Sequence, residues 1–516
     1  MVSLKARLLH HYELNEADLA SFCLPPTLDS IPKIDDDLAV KMARDRIEEA
    51  IAHQEKILIY GDYDCDGVMA TSILSYCFRK KSYPAATFIP SRYIDGYGLT
   101  MENAKRIATA GYSLVILVDN GVSCLEPISF FLSKGIQTII IDHHELPSSL
   151  PPSYALIHPD TLRYGSYPVS AGYLSFLFSM VLLKKADPYL LILGALSTVS
   201  DLMPIRSHNR EILRLALDAL NHGHFPTIEA LTETTLFDED VLGMEIIPQI
   251  NAVGRMVEDH GVNQLVRYFA DPENPKGPQI ASLMRSVNEE RKALSKAAFE
   301  MVQVEEGQPG IFVLGTLKEG LNGLLANRLL QQYNKPVIVL SPSSSDPSAY
   351  VGSLRCRQGF DFPSFASFAS SLLLRSGGHG FAGGFSLKKE KLAQFEAKFQ
   401  EYAALHPLQE EGEEDIPLSL SEVTFASYEL IRSFGPFGFG WKAPRFVIAH
   451  LPTDSFQYTR DESHLSTPLG YGVRLLGFHQ SKANILPLGR ANLHGRFHLR
   501  LWQGKEQLEF RIDKID

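Results

Sequence analysis

The stretch Ile57-Leu-Ile-Tyr-Gly-Asp-Tyr-Asp-Cys-Asp-Gly67 decides how the chain is read. An apolar run stops at three aspartates on alternate positions, Asp62, Asp64 and Asp66, and a glycine follows. A short run rich in Ile and Leu reads as a strand buried inside a parallel sheet. Open α/β sheets place their ligands at the carboxyl ends of such strands. Carboxylates crowded there repel one another unless a cation offsets the charge, and oxygen-rich sites suit Mg²⁺ or Mn²⁺. Taken alone, the stretch also fits a solvated acidic turn.

The pattern then recurs. Leu114-Val-Ile-Leu-Val118 runs into Asp119-Asn120-Gly121, and Thr138-Ile-Ile-Ile141 runs into Asp142-His143-His144-Glu145. Asp201, in Leu196-Ser-Thr-Val-Ser-Asp-Leu-Met-Pro204, again follows an apolar run. Three strands that each end in candidate ligands gather those ligands along one sheet edge. Four such sites in order argue against four unrelated turns.

These motifs resemble, in sequence and in order, those of the DHH phosphoesterase superfamily, and most closely its RecJ branch, the single-stranded-DNA-specific 5′→3′ exonucleases of bacteria. The resemblance covers nearly the whole chain. It implies an α/β fold in four parts: a DHH domain with a parallel sheet over residues 1–275, a connecting helix over 276–305, a DHHA1 α/β domain over 306–407 and an OB-like β-barrel over 408–516. It implies two divalent ions, Mn²⁺ or Mg²⁺. Asp64, Asp66 and His143 match terminal ligands, Asp119 and Asp201 are the candidates to bridge, and Asp62 is a ligand or a neighbour of one. His144 is expected to face the phosphate, with Asp142 orienting a histidine.

Other segments agree with that division. Residues 1–55 read as helical, with Leu38, Met42, Ile47 and Ile51 near one face. Val68 to Phe78 reads as the crossover helix, and Gly67 as the residue that permits a tight strand-to-helix turn. Residues 279–304 carry a rough apolar stripe, Ile280, Leu283, Met284, Val287 and Leu294, on a long charged helix. In Thr87-Phe-Ile-Pro-Ser-Arg-Tyr-Ile-Asp-Gly-Tyr-Gly-Leu99, a strand gives way to a glycine-flanked loop, and Arg92 matches the family's contact to a 5′ phosphate.

Ile246-Ile-Pro-Gln-Ile-Asn-Ala-Val-Gly-Arg-Met256 resembles a second RecJ segment. Arg255 is the matching phosphate contact, while Gln249 stands where the family usually has arginine. Asn251 suits orienting Arg255, accepting a backbone bond or capping a helix. Val351-Gly-Ser-Leu-Arg355 and Ser376-Gly-Gly-His-Gly-Phe-Ala-Gly-Gly384 resemble the DHHA1 motifs. There the resemblance has Ser353, Arg355 and Gly378 cradle phosphate and brings His379 to the scissile region. Glycines clustered about Ser and His let backbone N–H groups approach an anion.

The acidic stretch Leu408-Gln-Glu-Glu-Gly-Glu-Glu-Asp-Ile-Pro417 marks a boundary. Closely spaced short strands beyond it suggest a small barrel, with Arg474, Lys482, Arg496 and Arg500 as scattered cations. OB folds bind single strands by stacking bases on aromatics beside a basic groove. A chain of 516 residues, 45% hydrophobic and 21% charged, has the composition of an ordinary globular protein of two to four domains. The net charge of −11 alone does not point to DNA, because phosphate binding calls for clustered cations.

Five scattered cysteines, Cys23, Cys65, Cys77, Cys124 and Cys356, argue against a disulfide framework. No apolar run spans a bilayer, and the N-terminal residues lack a signal-peptide core, so a cytoplasmic protein without membrane contact is expected. The expected substrate is single-stranded DNA, in recombination and repair, cut to 5′-mononucleotides. The resemblance implies a monomer whose partners are a single-strand-binding protein or a helicase. A phosphodiesterase for short oligonucleotides or phosphorylated nucleotides is the second reading, and a catalytically weak DNA-binding scaffold the third.

Overall fold

The structure is a computed structural model. It describes all residues except Met1, Tyr97, 164–166, Glu306, Glu410, Glu411, Glu413 and 503–504, and all their side chains but those of His379, Leu501, Trp502 and Lys505. The chain forms two compact units. The larger comprises Leu28–Met203 and Ser207–Glu411; the smaller comprises Met1–Thr27, Pro204–Arg206 and Gly412–Asp516.

The larger unit begins with a five-stranded, wholly parallel sheet of order β2-β1-β3-β4-β5, built from β1 (Ile57–Tyr60), β2 (Ala86–Phe88), β3 (Leu114–Val118), β4 (Gln137–Ile141) and β5 (Ala155–Ile157). Every residue of β1 and β3 is buried, as uninterrupted Ile/Leu/Val runs require of strands covered on both faces. The register pairs Tyr60 with Leu117, Val118 with Ile141, and Ile141 with Ile157, so these strands end level with one another. The residues that follow each strand therefore share one edge.

The helix Cys65–Lys80 crosses over from β1 and packs on the apolar helices Ala171–Leu183 and Pro188–Ser200. The helix Leu38–Ala52 buries Val40, Ala43, Ile47 and Ala50, whereas Leu38 is 68% exposed. The small residues pack inward, and the sequence stripe was placed partly on the wrong side. The helix Gly277–Met301 buries Ile280, Ala281, Met284, Val287 and Asn288, and leaves Leu294 exposed.

A second five-stranded sheet, order β6-β7-β8-β10-β9, follows. Its strands are β6 (Ile311–Leu314), β7 (Val337–Pro342), β8 (Ala349–Arg355), β9 (Leu373–His379) and β10 (Ala382–Lys388). Phe360, Phe362, Phe365, Phe385, Phe395 and Phe399 form the core on one face. Gly378 and Gly383 pair across β9 and β10 beneath the Phe362 ring. Gly383 also pairs with Leu354, so Gly378 lies on the core face, opposite to Ser353 and Arg355.

The smaller unit carries a six-stranded sheet of order β11-β12-β15-β16-β14-β13. Its strands are β11 (Ile416–Pro417), β12 (Phe446–Pro452), β13 (Leu465–Gly470), β14 (Val473–Gly477), β15 (Arg490–Trp502) and β16 (Lys505–Ile515). Residues 1–27, placed with the first domain on sequence grounds, belong to this unit. Tyr12 stacks on Trp441 at 4.6 Å and on Phe434 at 5.3 Å, and Arg7 hydrogen-bonds the Pro417 carbonyl and Glu422. Those aromatic partners lie over four hundred residues away in sequence, beyond the reach of local pattern.

Candidate metal centre and phosphate pocket

The level strand ends bring the acidic motifs together. After β3, Asp119 takes a left-handed conformation, φ 58°, with its N–H on the Ile141 carbonyl. A non-glycine residue held there stores backbone strain, as functional sites often do. His143 Nε2 lies 3.3 Å from Asp119, and 3.5 Å from both Asp66 and Asp201. Asp62, Asp64 and Asp119 converge in a second group, and Asp119, His143 and His144 in a third. Asp119 thus reaches both the aspartate-rich side and the histidine side. Asp201 reaches only Asp66 and His143 among these groups. It sits at the end of the helix Pro188–Ser200, not after a strand.

Burial, followed by repulsion from neighbouring carboxylates, raises the pKa of Asp62, Asp119 and Asp201. Burial raises Asp66 as well, against the pull of His143. Asp62 Oδ1 is buried without a hydrogen-bond partner among the described residues. Five carboxylates and an imidazole with their oxygens and nitrogen facing inward make a donor set that fits divalent cations. Asp142 plays a different part. Its Oδ1 binds His144 Nδ1 at 2.7 Å, and Oδ2 accepts from the Val122 N–H at 3.0 Å. Burial opposes charge on His144, yet the Asp142 hydrogen bond and the nearby carboxylates lift its pKa to about 9.

The 62–66 turn is held by groups that sequence reasoning passed over. Asp66 accepts the Ala171 and Gly172 N–H groups at 2.9 and 2.7 Å, and also the Ser197 hydroxyl. Asn251 Oδ1 accepts the Cys65 N–H at 2.9 Å, which selects the backbone bond among its expected roles. Asp64 caps the helix Cys65–Lys80 through the Gly67 N–H. Gly67 is needed for space: a Cβ there would lie 2.5 Å from the Asp62 carbonyl oxygen, and the residue is not among those with positive φ. Gly254 presses from the other side, where a Cβ would lie 2.4 Å from the Tyr63 carbonyl oxygen. Ser197 and Tyr63 both stood inside the quoted motifs, but nothing in their identity set them apart from filler.

Arg92 and Arg255 line a cavity of about 130 Å³ together with Asp62, Asp64, Asp119, His144 and Asp201. The Arg92 guanidinium stacks on the Tyr63 ring at 4.6 Å and donates to the Tyr63 hydroxyl at 3.0 Å. The Arg255 guanidinium has no hydrogen-bond or ion-pair partner among the described residues. Burial, then the nearby positive charge of Arg92 and Arg355, pushes its pKa down to about 10. Arg355 arrives from β8, with Ser353 on the same face. A Cβ at Gly323 would meet the Arg355 Nη2 at 2.7 Å and the Ser353 Oγ at 3.6 Å. Three guanidiniums gathered with no ion pair of their own among the described residues make an anion site. The His379 side chain lies outside the described residues, and Gly378 faces the core rather than this pocket. Gln249 is buried as well, donating to the Leu231 and Glu245 carbonyls at 2.6 and 2.9 Å.

Three domain families match the chain in order. The DHH family N-terminal domain matches residues 56–188, the DHHA1 domain 311–405 and the RecJ OB domain 414–514. The chain carries the domain set of the RecJ branch of the DHH phosphoesterases. The single-stranded-DNA-specific exonuclease RecJ of Bacillus subtilis is 28% identical over 92% of this chain and 63% of its own length. The RecJ of Haemophilus influenzae is 26% identical over 92% of this chain and 90% of its own. This RecJ-type chain therefore spans less than two thirds of the Bacillus relative but nearly all of the Haemophilus one. A crystal structure of Thermus thermophilus RecJ in complex with Mn²⁺ superposes with a TM-score of 0.83, at 23% identity, over 99% of this chain and 75% of that one. No helix among the described residues is long and apolar enough to cross a membrane.

Proposed function

We propose that the chain is a divalent-metal-dependent exonuclease that removes 5′-mononucleotides from the 5′ end of single-stranded DNA, in recombination and repair. The observation that carries this reading is one cavity lined by four carboxylates, His144 and two arginines that form no ion pair among the described residues. Asp62, Asp64, Asp66, Asp119, His143 and Asp201 would hold two ions, with Asp119 shared between them. Mn²⁺ or Mg²⁺ bound there supplies Lewis acidity toward the phosphodiester and a more acidic water.

The chain's own residues then divide the work. Arg92, Arg255, Ser353 and Arg355 bind a terminal 5′ phosphate and so set which bond reaches the carboxylate edge. His144, oriented by its hydrogen bond to Asp142, donates to the scissile phosphate as negative charge grows on it. Asp66 stays fixed through the two N–H groups of the Ala171–Leu183 helix. His379 is assigned to the scissile region on the motif alone.

The smaller unit contributes little electrostatic attraction. Residues 412–516 hold twelve acidic and twelve basic residues, and several of the latter are paired: Arg474 and Arg511 with Glu509, Arg496 with Asp513, Lys482 with Glu462. DNA contacts there rest on stacking more than on charge. The working picture is a cytoplasmic monomer that acts beside a single-strand-binding protein or a helicase.

The test is time-resolved digestion, with Mn²⁺, of a 5′-phosphorylated single strand labelled at either end, beside its duplex and a dinucleotide. Early mononucleotide from the 5′ end with the duplex spared supports the reading. Cleavage confined to the dinucleotide would favour a short-oligonucleotide phosphodiesterase, and DNA binding without hydrolysis a scaffold.

A further inference from the structure

Arg92 and Arg255 repel one another in one small cavity, so some part of the fold must hold them at their spacing. Arg92 sits in the loop after β2, and Arg255 in the last turn of the helix Ile247–Met256. The residues flanking each arginine are bound to those flanking the other. Asn263 Oδ1 accepts the Ile89 N–H at 2.8 Å, and Asn263 Nδ2 donates to the Ile89 carbonyl at 2.9 Å. The Ser91 hydroxyl donates to the Glu258 carbonyl at 2.8 Å.

Asp95, 3% exposed at its side chain, is the node of this contact. It binds His260 Nε2 at 2.8 Å and Arg106 at 3.4 Å, and accepts the Ser91 N–H at 2.8 Å. The Tyr93 hydroxyl reaches the Arg255 carbonyl itself. None of Asp95, His260 and Asn263 lines the cavity, so none touches a ligand held there.

We propose that Asp95, His260 and Asn263 form a clasp that fixes the distance between Arg92 and Arg255 and thereby sets the preference for a 5′-phosphorylated over a 5′-hydroxyl end. These are positioning residues, and their role rests on the exonuclease reading above. A loop that carries a charged group against a like charge relaxes outward once its tether is cut. Misplacement by ~1 Å of a substrate-positioning group can cost on the order of a hundredfold in rate. The clasp binds backbone on both sides, so its loss moves the Arg92 loop while the carboxylate turn, anchored through Ser197 and Asn251, stays in place.

The experiment measures kcat/KM for one oligothymidine single strand with either a 5′-phosphate or a 5′-hydroxyl end, in Mn²⁺. Wild type, Arg92→Ala, His260→Ala, His260→Gln, Asn263→Ala and the double variant Arg92→Ala/His260→Ala are compared, with thermal midpoints as the check on folding. The ratio between the two ends is expected to fall about tenfold in His260→Ala and Asn263→Ala, chiefly through KM for the phosphorylated strand. His260→Gln, which can still donate to Asp95, recovers most of it. The double variant falls no further than Arg92→Ala, because both changes act through one guanidinium. A ratio within twofold of wild type in folded His260→Ala and Asn263→Ala, with Arg92→Ala collapsing it, overturns the clasp alone. No end preference in the wild type, or none lost in Arg92→Ala, overturns the phosphate-pocket reading and the clasp with it.

Discussion

Gly254→Ala isolates the turn that carries the metal ligands. The new Cβ would stand 2.4 Å from the Tyr63 carbonyl oxygen, where ordinary contact begins at 3.4 Å. About 1 Å must therefore be made up, and the obstructing atom is backbone, which cannot swing aside as a side chain does. Tyr63 lies between Asp62 and Asp64 and supports Arg92 through its ring and hydroxyl. One added methyl group therefore moves two candidate ligands and one phosphate contact together.

Overpacking of this kind costs about 1–3 kcal/mol of stability. A shift of ~1 Å in positioning groups costs on the order of a hundredfold in kcat/KM. The assay is single-strand hydrolysis in saturating Mn²⁺, with Mn²⁺ affinity measured by calorimetry and folding by thermal melting. Gly277→Ala is the control: its Cβ would meet only the Tyr268 ring, at 3.7 Å, and activity should stay within twofold. Gly254→Ala with wild-type kcat/KM and Mn²⁺ affinity would show that the turn's geometry is not what the site depends on.

Three further outcomes follow from the same geometry. Asp62 and Asp201 titrate at about 8 in the folded, metal-free protein and near ~4 when unfolded, so between those values unfolding releases protons and stability falls as pH rises; the chelated protein's melting midpoint should drop from pH 6 to pH 8.5 and Mn²⁺ should flatten that slope, whereas a flat or rising midpoint without metal contradicts the carboxylate cluster. Ser197→Ala removes a donor to Asp66 and should weaken Mn²⁺ binding about tenfold to a hundredfold with little change in melting; unchanged affinity by calorimetry would show that the hydroxyl does not orient the ligand. Gln249→Ala leaves the Leu231 and Glu245 carbonyls without their donor, for a loss of about 1–3 kcal/mol in denaturant melts with the end preference intact; a lost preference would place Gln249 in phosphate recognition instead.

What could be read from the sequence was what repeats locally. Strand followed by acid, three times over, placed Asp62–Asp66, Asp119 and Asp142–His144 on one edge, because parallel strands of similar length end level. Asp201 had the right neighbours for a less direct reason: a helix end delivers it to the same place. Gly67 and Gly254 were visible as residues, but their purpose is a clearance to backbone that only three-dimensional packing reveals. Asp95, His260 and Asn263 gave no signal at all, since a lone Asp, His or Asn has many possible partners. The same limit hid the N-terminal residues, whose Tyr12 meets Trp441 from the opposite end of the chain. Periodicity placed Ile47 and Val287 correctly but misjudged Leu38 and Leu294, which lie on exposed faces of their helices.

The most direct test of the account is the first product released from a 5′-phosphorylated single strand, labelled at its 5′ end, in Mn²⁺ with wild type and Asp119→Ala side by side. The account predicts that the wild type releases labelled mononucleotide from the first time point and leaves the duplex intact. Asp119→Ala should be slower by at least ~10³-fold, having lost the carboxylate that two of the three groups of candidate ligands share. Label released first as longer fragments, or equal rates in the two proteins, would contradict a metal-dependent exonuclease that begins at the 5′ end.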